Sequence, residues 1–563
     1  MRHVRHSSPL LVALLALALI AAACGGGGGS KAASNQGSNS NVPTGGTLVA
    51  GWEQEPDCVD WIGSCSGSSY GYWAANVTTM PRTYNVVKKG TSWGYAPSNL
   101  LTGEADLKTS PNQVVTYHIN PQAKWSDGQP ITAHDFKYLW DQIVNGSDIY
   151  DTTGYVNIQS VDDSNPAAPV VTFKTPYADW KSLFGGQYGL YPSHLLEGKD
   201  RDKETANGYT WSGGPWMMPP GGWQKGSQLT LVPNPNYWGT KPKLDKIVYK
   251  FITDTSAEFQ AFKSGEVQLI YPQPQPDAVD QIKAGIAGSN SFYTPDTGNL
   301  EALWFNNGKA PFNDPKVREA WGYVLDRAAI VDRLFGPLGV KAPMNTINPT
   351  IVRDYADPNA WSQYKPDSSK VNQLMTSAGW TKGSDGVWAK GGQKFTAELQ
   401  STTGNKRREL TEQIIQQQLQ AAGFPMTIKE DKSGDLFGSI LPKGDFQVAL
   451  YAQVLTSFSP SNCNIFCSAN IPVAPKFSGQ NWQRVNDPTN VDPLLTKVDS
   501  SLDESVRMDS NKKADPVLAS TDVALPLDPL PDVLLWGKKL AGPVGDNPVM
   551  GPMWNSNLWG IGK

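Results

Sequence analysis

The sequence has 563 residues, a net charge of −4 and twenty tryptophans. A mildly acidic chain without basic clusters argues against a nucleic-acid partner, and its length indicates two or three lobes rather than one core. Beyond the N-terminal region, no apolar run reaches the ~20 residues that a membrane-spanning helix needs. The tryptophans either line an aromatic binding cleft or fill the cores between glycine- and proline-rich loops.

The N-terminus has the pattern of a secretory signal peptide over residues 1–23. Two arginines precede an unbroken apolar run, and small residues then lead directly to Cys24. A cysteine at this place resembles that of the bacterial lipobox, whose thiol is lipidated and becomes the mature N-terminus, although leucine is usual where Ala21 stands. We therefore expect lipidation of Cys24. The alternative is simple cleavage after Ala23 without a lipid.

Residues 24–46 are rich in glycine and serine and lack any periodicity, which is typical of a flexible tether. The first strand is predicted directly after it, in "GGTLVAGW" (residues 45–52). The predicted organisation is therefore a membrane anchor, a flexible tether and a folded body, in that order.

Four further cysteines form two pairs that are close in sequence, Cys58 with Cys65 and Cys463 with Cys467. In an oxidising compartment we expect local disulfides, although four cysteines allow three connectivities. A metal site is the competing interpretation. Because no histidine lies near either pair and the two pairs are far apart in sequence, we predict no metal.

The segment "KWSDGQPITAHDFKYLWDQI" (residues 124–143) combines acids, a histidine and tryptophans in a short span. The Asp-Gly pair within it predicts a tight turn. Thr132 and Asp135 have the spacing of a helix capping box, and the apolar residues that follow recur at helical spacing. The acids are therefore predicted to serve a turn and a helix start, and His134 is predicted to be a solvated surface residue.

Further along the chain, "KLDKIVYKFI", "TSAEFQAFKSG" and "EVQLIY" predict a strand, a helix and a strand, a unit that crosses over in an α/β sheet. Thr255 and Glu258 are predicted to form a second capping box, and Gly265 to end the helix. Later helices are predicted to begin at the caps Asp314 and Asp326.

The longest predicted helix ends at Gly423, and the strands "MTIKED" and "DFQVALYAQ" follow it. A short apolar strand is predicted at Asp532–Trp536 near the C-terminus. This alternation of helices and strands indicates α/β lobes.

Only one segment resembles a hydrolase motif, the G-x-S-x-G pattern of Gly90–Gly94 with Ser92 in the nucleophile position. A nucleophile elbow needs a helix directly after the serine, and Gly94-Tyr95-Ala96-Pro97 is a poor helix start. No zinc-protease, phosphate-loop, dinucleotide or calcium-loop motif is present. We expect a protein that is not an enzyme and that needs no cofactor, with a secreted serine hydrolase as a weaker alternative.

Several segments, in order along the chain, resemble one family, the bacterial extracytoplasmic solute-binding proteins of family 5, which are the dipeptide- and oligopeptide-binding components of ABC importers. "WSDGQPITAHDF" is similar to the family signature W-[ST]-D-G-x-P-[ILVF]-T-A-x-D-[FV]. "SGGPWMM", "NPNYWGTKPKLDKIVYKFITD" and "FNNGKAPFNDPKVREAWGYVLDRAAIVD" resemble three later family segments, and "QQQLQAAGFPMTI" and "SGQNWQRVNDPTNVDPLL" continue the match.

The resemblance implies an α/β, bilobed type II periplasmic-binding-protein fold with an additional third domain, the cluster C type. Lobe I is expected to be discontinuous, over residues 45–80, 212–300 and 530–563. Lobe II, the additional domain, is expected over residues 81–211, and lobe III over residues 301–529.

The resemblance also implies a function. Peptides are captured between the hinged lobes I and III, and the closed protein delivers them to the permease subunits of an ABC transporter. We expect a monomer on the outer face of the cytoplasmic membrane, held there by its lipid anchor and without a nucleic-acid partner. The alternative is the same binding module with another solute, such as an oligosaccharide.

One departure from the family concerns the ligand amine. In the family's peptide binders, an aspartate after the strand that corresponds to "DFQVALYAQ" pairs with the ligand's terminal ammonium, whereas Tyr451–Phe466 contains no acid. Either another acid, such as Glu53 or Glu55, supplies that charge, or the ligand carries no free amine there. By position relative to the family pattern, the expected ligand-binding residues are Glu53, Trp304, Asn306, Tyr451, Gln453, Asn481 and Trp482.

Overall fold

The structure is a computed structural model that describes residues 42–90, 92–186 and 188–562. The predicted signal peptide, Cys24 and most of the tether lie outside the described residues. Within those ranges, no helix combines the length and the apolar character needed to cross a membrane.

We assign to lobe I an eight-stranded sheet. The first strand, Thr47–Trp52, lies in the middle and pairs in parallel with two neighbours. Leu48, Ala50 and Trp52 are fully buried because they face one side of the strand and point into the core. In spatial order the strands are Ser289–Thr294, Asp532–Gly537, Leu269–Ile270, Thr47–Trp52, Lys246–Phe251, Gln228–Pro233 and Trp216–Met217, with Trp223–Gln224 also paired to Gln228–Pro233.

The predicted strand-helix-strand unit is present, with its helix at Thr255–Ser264. The second capping box, however, is wrong. Asp254 is the N-cap and accepts a hydrogen bond from Ala257 N at 2.8 Å, so Thr255 is already inside the helix. Glu258 therefore turns inward and is fully buried. Gly265 ends the helix in the left-handed conformation, as predicted.

Lobe II contains a four-stranded antiparallel sheet, a separate hairpin and a helix at Ala133–Asn145. Thr132 is the N-cap of that helix, and its backbone N–H donates to Asp135 Oδ2 at 2.9 Å, as the capping box predicts. Asp135 also accepts from Trp125 Nε1 at 3.2 Å and from Ser193 N at 2.9 Å, which fixes the turn to the helix. The sheet strands are, in order, Asp106–Lys108, Val114–Thr116, Val170–Phe173 and Ile158–Asp162, and the hairpin strands are Tyr84–Lys89 and Ser92–Pro97.

Lobe III has a five-stranded mixed sheet covered by helices. The predicted caps Asp314 and Asp326 each accept a backbone hydrogen bond at the start of a helix, and Gly423 ends the longest helix in the left-handed conformation. In order the strands are Met426–Asp431, Ala397–Thr402, Val448–Val454, Asn299–Phe305 and Ala524–Asp528. The main helices are Pro315–Val324, Arg327–Phe335, Ser368–Ser377, Lys406–Ala422, Val491–Ser500 and Glu504–Ala519.

Shorter elements complete the described part of the chain. A continuous helical segment runs from Ser69 to Thr79 and includes a π-helical turn at Tyr72–Asn76. Other helices are Ser193–Leu196, Arg201–Thr205, Pro276–Ala284, Ser433–Asp435, Leu441–Lys443 and Cys463–Phe466, with a π-helical turn at Leu436–Ile440. A small three-stranded sheet contains Thr381–Lys382, Trp388–Lys390 and Gln393–Lys394. A two-stranded sheet joins Leu540–Ala541 to Gly560–Ile561.

The hydrophobic cores show which lobes form a unit. One core cluster contains both lobe I residues such as Trp52 and lobe II residues such as Phe136. A separate cluster fills lobe III, with Trp304 and Trp321 among its members. Lobes I and II therefore share a core, and most of lobe III packs around a core of its own. Ile351 and Val352 of lobe III join the first cluster, and Leu338 packs in a third cluster with lobe I residues such as Phe259.

Two chain crossings connect lobe I with lobe III. The chain enters the lobe III sheet at Asn299 and returns to the lobe I sheet between Asp528 and Asp532. Thr297 Oγ1 donates to the Pro529 carbonyl at 2.6 Å, which ties the two crossings together. This pair of short connections has the form of a hinge.

Both pairs of cysteines that are close in sequence are joined in the structure. The S–S distance is 2.01 Å between Cys58 and Cys65 and 1.99 Å between Cys463 and Cys467. Among the described residues, no group of histidine, cysteine, aspartate and glutamate has an arrangement that could hold a metal ion.

Candidate functional site

A cavity of about 200 Å³ lies where the three lobes meet. Lobe I contributes the start of the helical segment at 69–73 and residues 271–273, and lobe III contributes the end of strand Val448–Val454 and the loop that follows it. Lobe II contributes residues 150–155 and several residues between 177 and 188. The cavity is therefore enclosed by segments that are far apart in sequence.

Aromatic rings form the lobe III wall of the cavity. Trp482 contacts Tyr451, at a ring distance of 5.9 Å, and Phe437, at 6.2 Å, and these two rings also contact each other. Tyr150 of lobe II approaches the same tryptophan at 6.4 Å. All four rings line the cavity, so a ligand between them contacts rings from both bodies of the protein.

A second aromatic row forms the lobe I wall. Tyr70 and Trp73 lie edge to face at 5.4 Å, and Trp73 meets Tyr271 at 5.3 Å. Trp52, on the first strand, supports the row from behind with its ring 5.5 Å from Tyr70. Edge-to-face contacts of this kind are favourable, so each ring of the row stabilises the position of the next.

Three of the residues expected to bind ligand lie on the cavity surface, namely Tyr451, Gln453 and Trp482. The Tyr451 hydroxyl accepts a hydrogen bond from Gln483 Nε2 at 2.9 Å, which fixes the ring. All three come from the end of a lobe III strand or from the rim beside it.

The other expected lobe III residues do not line the cavity. Trp304 is fully buried in the lobe III core, and its Nε1 donates to the Tyr451 carbonyl at 2.8 Å. The Asn306 amide donates to the carbonyls of Gly444 and Phe446. Asn481 Nδ2 donates to the Cys467 and Val485 carbonyls, at 3.0 and 2.8 Å. Their polar atoms already have backbone partners and do not face a ligand. These side chains therefore support the cavity wall from behind.

Glu53 also lies behind the cavity wall. Its carboxylate accepts from the Tyr70 hydroxyl at 2.9 Å and from Gln273 N at 3.1 Å, and burial raises the pKa of Glu53 to about 7. Glu55 accepts from Trp223 Nε1 at 2.9 Å. Both acids of the first loop are therefore engaged within lobe I.

Three other acids line the cavity: Asp151, Asp499 and Asp532. Burial raises the pKa of Asp499 to about 7, and the nearby Asp179 carboxylate acts in the same direction. The sequence contains no signal that these residues meet, because they come from three separate regions of the chain. Only the packing of the lobes brings them to one cavity.

Polar contacts join lobe II to lobe III beside the cavity. Arg507 Nη2 lies 2.6 Å from Asp179 Oδ1, and Ser459 Oγ donates to Asp179 Oδ2 at 2.6 Å. Gln480 Nε2 donates to Asp151 Oδ2 at 3.0 Å. Because these contacts connect the two separately packed bodies, the structure has the lobes closed on the cavity.

The G-x-S-x-G segment does not form a nucleophile elbow. Ser92 begins strand Ser92–Pro97, which pairs with Tyr84–Lys89 in a hairpin, and the exposed Ser92 hydroxyl donates to the Lys89 carbonyl at 3.2 Å. The serine is followed by a strand instead of the helix that an elbow requires. The geometry gives no support to the hydrolase alternative.

The sequence family described as "Bacterial extracellular solute-binding proteins, family 5 Middle" matches residues 96–469. This range covers well over half of the chain. The chain belongs to this solute-binding family. The resemblance seen in the sequence segments is thereby confirmed, and members of the family are the extracytoplasmic substrate-binding components of ABC transporters, which are not enzymes.

Two curated relatives of this family 5 protein have names that refer to peptide binding. An ABC transporter peptide-binding protein of Brucella ovis is 29% identical over 288 residues, which are 49% of this chain and 51% of the relative. The match to this relative therefore spans only about half of its length. The oligopeptide-binding protein OppA of Mycobacterium bovis is 25% identical over 481 residues, 82% of this chain and 76% of the relative.

A solved structure with the same fold is the oligopeptide-binding protein AppA of Bacillus subtilis in complex with a nonapeptide. It is 20% identical, with a TM-score of 0.81, and the match covers 93% of this chain and 100% of AppA. The expected α/β fold, bilobed with an additional domain, is thereby confirmed for this family 5 protein.

Proposed function

We propose that this protein is a lipid-anchored substrate-binding component of an ABC importer that captures peptides between its lobes and delivers them to the permease subunits. The observation that carries the proposal is the cavity enclosed by all three lobes and lined by aromatic rings. Lobe III has its own core and is joined to lobe I by two short crossings, so it is built to move as a body.

The mechanism is hinge closure. A ligand that contacts Tyr70 on lobe I and Trp482 on lobe III stabilises the closed state, since both contacts exist together only when the lobes meet. A ligand shifts the balance between open and closed forms only as far as it binds the closed form more tightly than the open form. The permease then recognises the surface of the closed protein, so the protein docks on the permease mainly when a ligand occupies the cavity.

A free strand edge supports peptides as the ligand class. Strand Val448–Val454 pairs with Ala397–Thr402 only at Val448 and Ala449. From Tyr451 onward, that edge has no strand partner in the described part of the chain, and these residues line the cavity. An extended peptide can add to such an edge through main-chain hydrogen bonds, with its side chains directed into pockets.

The aromatic lining also suits a second ligand class, an oligosaccharide. Sugar rings stack on faces such as those of Trp482 and Tyr451, and they need no free strand edge. The two classes are distinguished by thermal unfolding of the full-length protein, purified without denaturation, in the presence of a tripeptide and pentapeptide mixture or of malto- and cello-oligosaccharides. A cleft ligand raises the melting temperature by mass action.

We expect the peptide mixture to raise the melting temperature and the oligosaccharides to leave it unchanged. The reverse result would replace the peptide proposal by the sugar alternative, and no shift with either would contradict both. Anchoring is tested separately by fractionation of cells. Cys24→Ser is expected to move the protein from the membrane fraction to the soluble fraction without a change in peptide binding.

A further inference from the structure

Gln273 is a cavity residue of lobe I whose side chain is hydrogen-bonded to lobe III. It is partly exposed and lines the cavity. Its Oε1 accepts from Arg407 Nη2 at 2.8 Å and from Asn405 Nδ2. Both donors lie at the start of helix Lys406–Ala422 in lobe III. The contact therefore exists only when lobe III lies against lobe I.

These two donors fix the orientation of the Gln273 amide. A guanidinium carries N–H donors and no acceptor, so the amide atom of Gln273 that faces Arg407 is the oxygen. Asn405 has one orientation for a similar reason. Its Oδ1 caps the helix by accepting from Arg408 N at 3.1 Å, which leaves its Nδ2 for Gln273. The Gln273 Nε2 is therefore not the atom that is bonded to lobe III.

The groups around this contact are themselves held in place. Arg407 is fully buried, and its Nη2 lies 3.2 Å from Glu301 Oε2. The Arg407 backbone N–H donates to Gln275 Oε1 at 2.8 Å, and Gln275 Nε2 donates to the Gln273 carbonyl at 2.7 Å. The Gln273 backbone N–H donates to Glu53 Oε1 at 3.1 Å. Both the backbone and the side chain of Gln273 are therefore fixed in the closed form.

The Gln273 Nε2 group has spare donors. A glutamine amide nitrogen carries two N–H donors. Within the described residues no protein group accepts a hydrogen bond from this nitrogen, and it is not one of the unpartnered polar atoms that are shielded from solvent. Because Gln273 lines the cavity, these donors are available to a ligand.

The charges of the cavity lining indicate a neutral acceptor for these donors. Arg408 is the one arginine or lysine among the described lining residues. Its Nε lies 2.7 Å from Glu301 Oε1, and its Nη1 donates to Thr402 Oγ1 at 2.7 Å. The acids that line the cavity are Asp151, Asp499 and Asp532. A ligand carboxylate would therefore meet carboxyl groups and no free cation, whereas a neutral carbonyl group needs only N–H donors.

An extended peptide at the free strand edge has such carbonyl groups. A strand that pairs through one edge still presents the C=O and N–H groups of its other edge. We infer that Gln273 Nε2 donates to a main-chain carbonyl of the bound peptide, and that Asn405 and Arg407 orient Gln273 for this contact when the lobes close. This inference rests on the proposed function and names a ligand-contacting residue on the lobe I wall. The hydrogen bond favours the closed form, because the amide is oriented only there.

Two substitutions in the full-length protein separate the donors of Gln273 from its contact with lobe III. Gln273→Glu keeps an oxygen that faces Arg407 and removes the N–H donors. Gln273→Met has a similar length, no charge and no donor. The control Gln393→Glu makes the same change of charge at an exposed residue outside the cavity.

The measurement is the rise of the melting temperature with the concentration of the tripeptide and pentapeptide mixture at pH 7.5. We expect both Gln273 variants to need about tenfold more peptide than the unmodified protein for the same rise, because a ligand carbonyl is then buried without a donor. Gln393→Glu should match the unmodified protein. Melting without peptide verifies folding, and either Gln273 variant is sufficient if the other does not fold. Small-angle X-ray scattering without ligand should give Gln273→Glu the radius of gyration of the unmodified protein.

The outcomes separate this inference from the proposed function. An unchanged peptide affinity in either Gln273 variant would overturn the inference and leave peptide capture intact. A larger radius of gyration in Gln273→Glu would attribute its weaker binding to an opened lobe contact, and it would overturn the assignment as well. Absence of any peptide effect on the unmodified protein would contradict the proposed function, and the inference with it.

Discussion

Trp482 lies on the lobe III wall of the cavity and also contacts a ring of lobe II. It is 5% exposed and contacts Tyr451, Phe437 and Tyr150. We expect Trp482→Ala to weaken peptide binding at least tenfold and to lower the free energy of unfolding by about 3 kcal/mol, since a buried ring is lost. The matched control is Trp554→Ala, whose ring is 37% exposed and outside the cavity. Equal peptide affinity in the two variants would show that Trp482 does not bind the ligand.

Glu258 gives a prediction about pH at the same scale. It is fully buried, neither carboxylate oxygen has a hydrogen-bond partner in the described chain, and burial, followed by the nearby Glu53, raises its pKa well above 4.5. A carboxyl group whose pKa is higher in the folded protein contributes its full share to the free energy of unfolding at pH values below its pKa in the unfolded chain. This contribution is lost as the pH rises through the pKa of the folded state.

The substitution Glu258→Gln removes this titration. We therefore expect the free energy of unfolding of Glu258→Gln, relative to that of the unmodified protein, to be higher at pH 8 than at pH 5. Denaturant unfolding at the two pH values measures this difference. Glu53 titrates beside it and remains in the variant, so part of the pH dependence should persist. A relative stability that is constant between the two pH values would contradict a neutral, buried Glu258.

At the scale of elements, the contact between lobes II and III includes one buried ion pair. Arg507 lies on helix Glu504–Ala519, and Asp179 precedes a short helical turn of lobe II. The Arg507–Asp179 pair is 2.6 Å long and largely buried. Removal of one partner leaves the other charge buried and unpaired, which costs about 3–5 kcal/mol in the closed form.

We therefore expect Arg507→Ala to favour the open form. Small-angle X-ray scattering without ligand should show a larger radius of gyration, and peptide affinity should fall, because the ligand must then also supply the free energy of closure. The double substitution Arg507→Ala with Asp179→Asn should recover part of the affinity. A radius of gyration equal to that of the unmodified protein would contradict a role in closure.

The elements also show what the sequence could reveal. Caps such as Asp314 and Asp326 and the helix end at Gly423 are set by neighbouring residues, so local patterns predicted them. The Thr255–Glu258 box failed because an aspartate one residue earlier takes the cap. "WSDGQPITAHDF" was correctly assigned to a turn and a helix start, and it identified the family although it lies away from the cavity.

The site itself was only partly predictable, and the reason is topological. Tyr451 and Gln453 lie on strand Val448–Val454, and the family pattern could place them and Trp482 beside the cavity. Asp151, Asp499 and Asp532 lie in separate lobes or at the hinge, and no spacing in the sequence relates them. Trp304 and Asn481 have the right chemistry near the right place, but a one-dimensional pattern does not show that their polar atoms face the backbone.

At the scale of the whole molecule, two bodies, each with a main core of its own, enclose a cavity of about 200 Å³. The central claim is that this cavity captures peptides. Native mass spectrometry of the full-length protein, purified without denaturation, weighs any ligand that co-purifies, and collisional release then gives its mass and sequence.

We predict bound species whose masses are sums of amino-acid residues and which are lost when the protein is unfolded and refolded. A co-purifying mass made of hexose units, or a protein that remains empty after incubation with a peptide mixture, would contradict the claim.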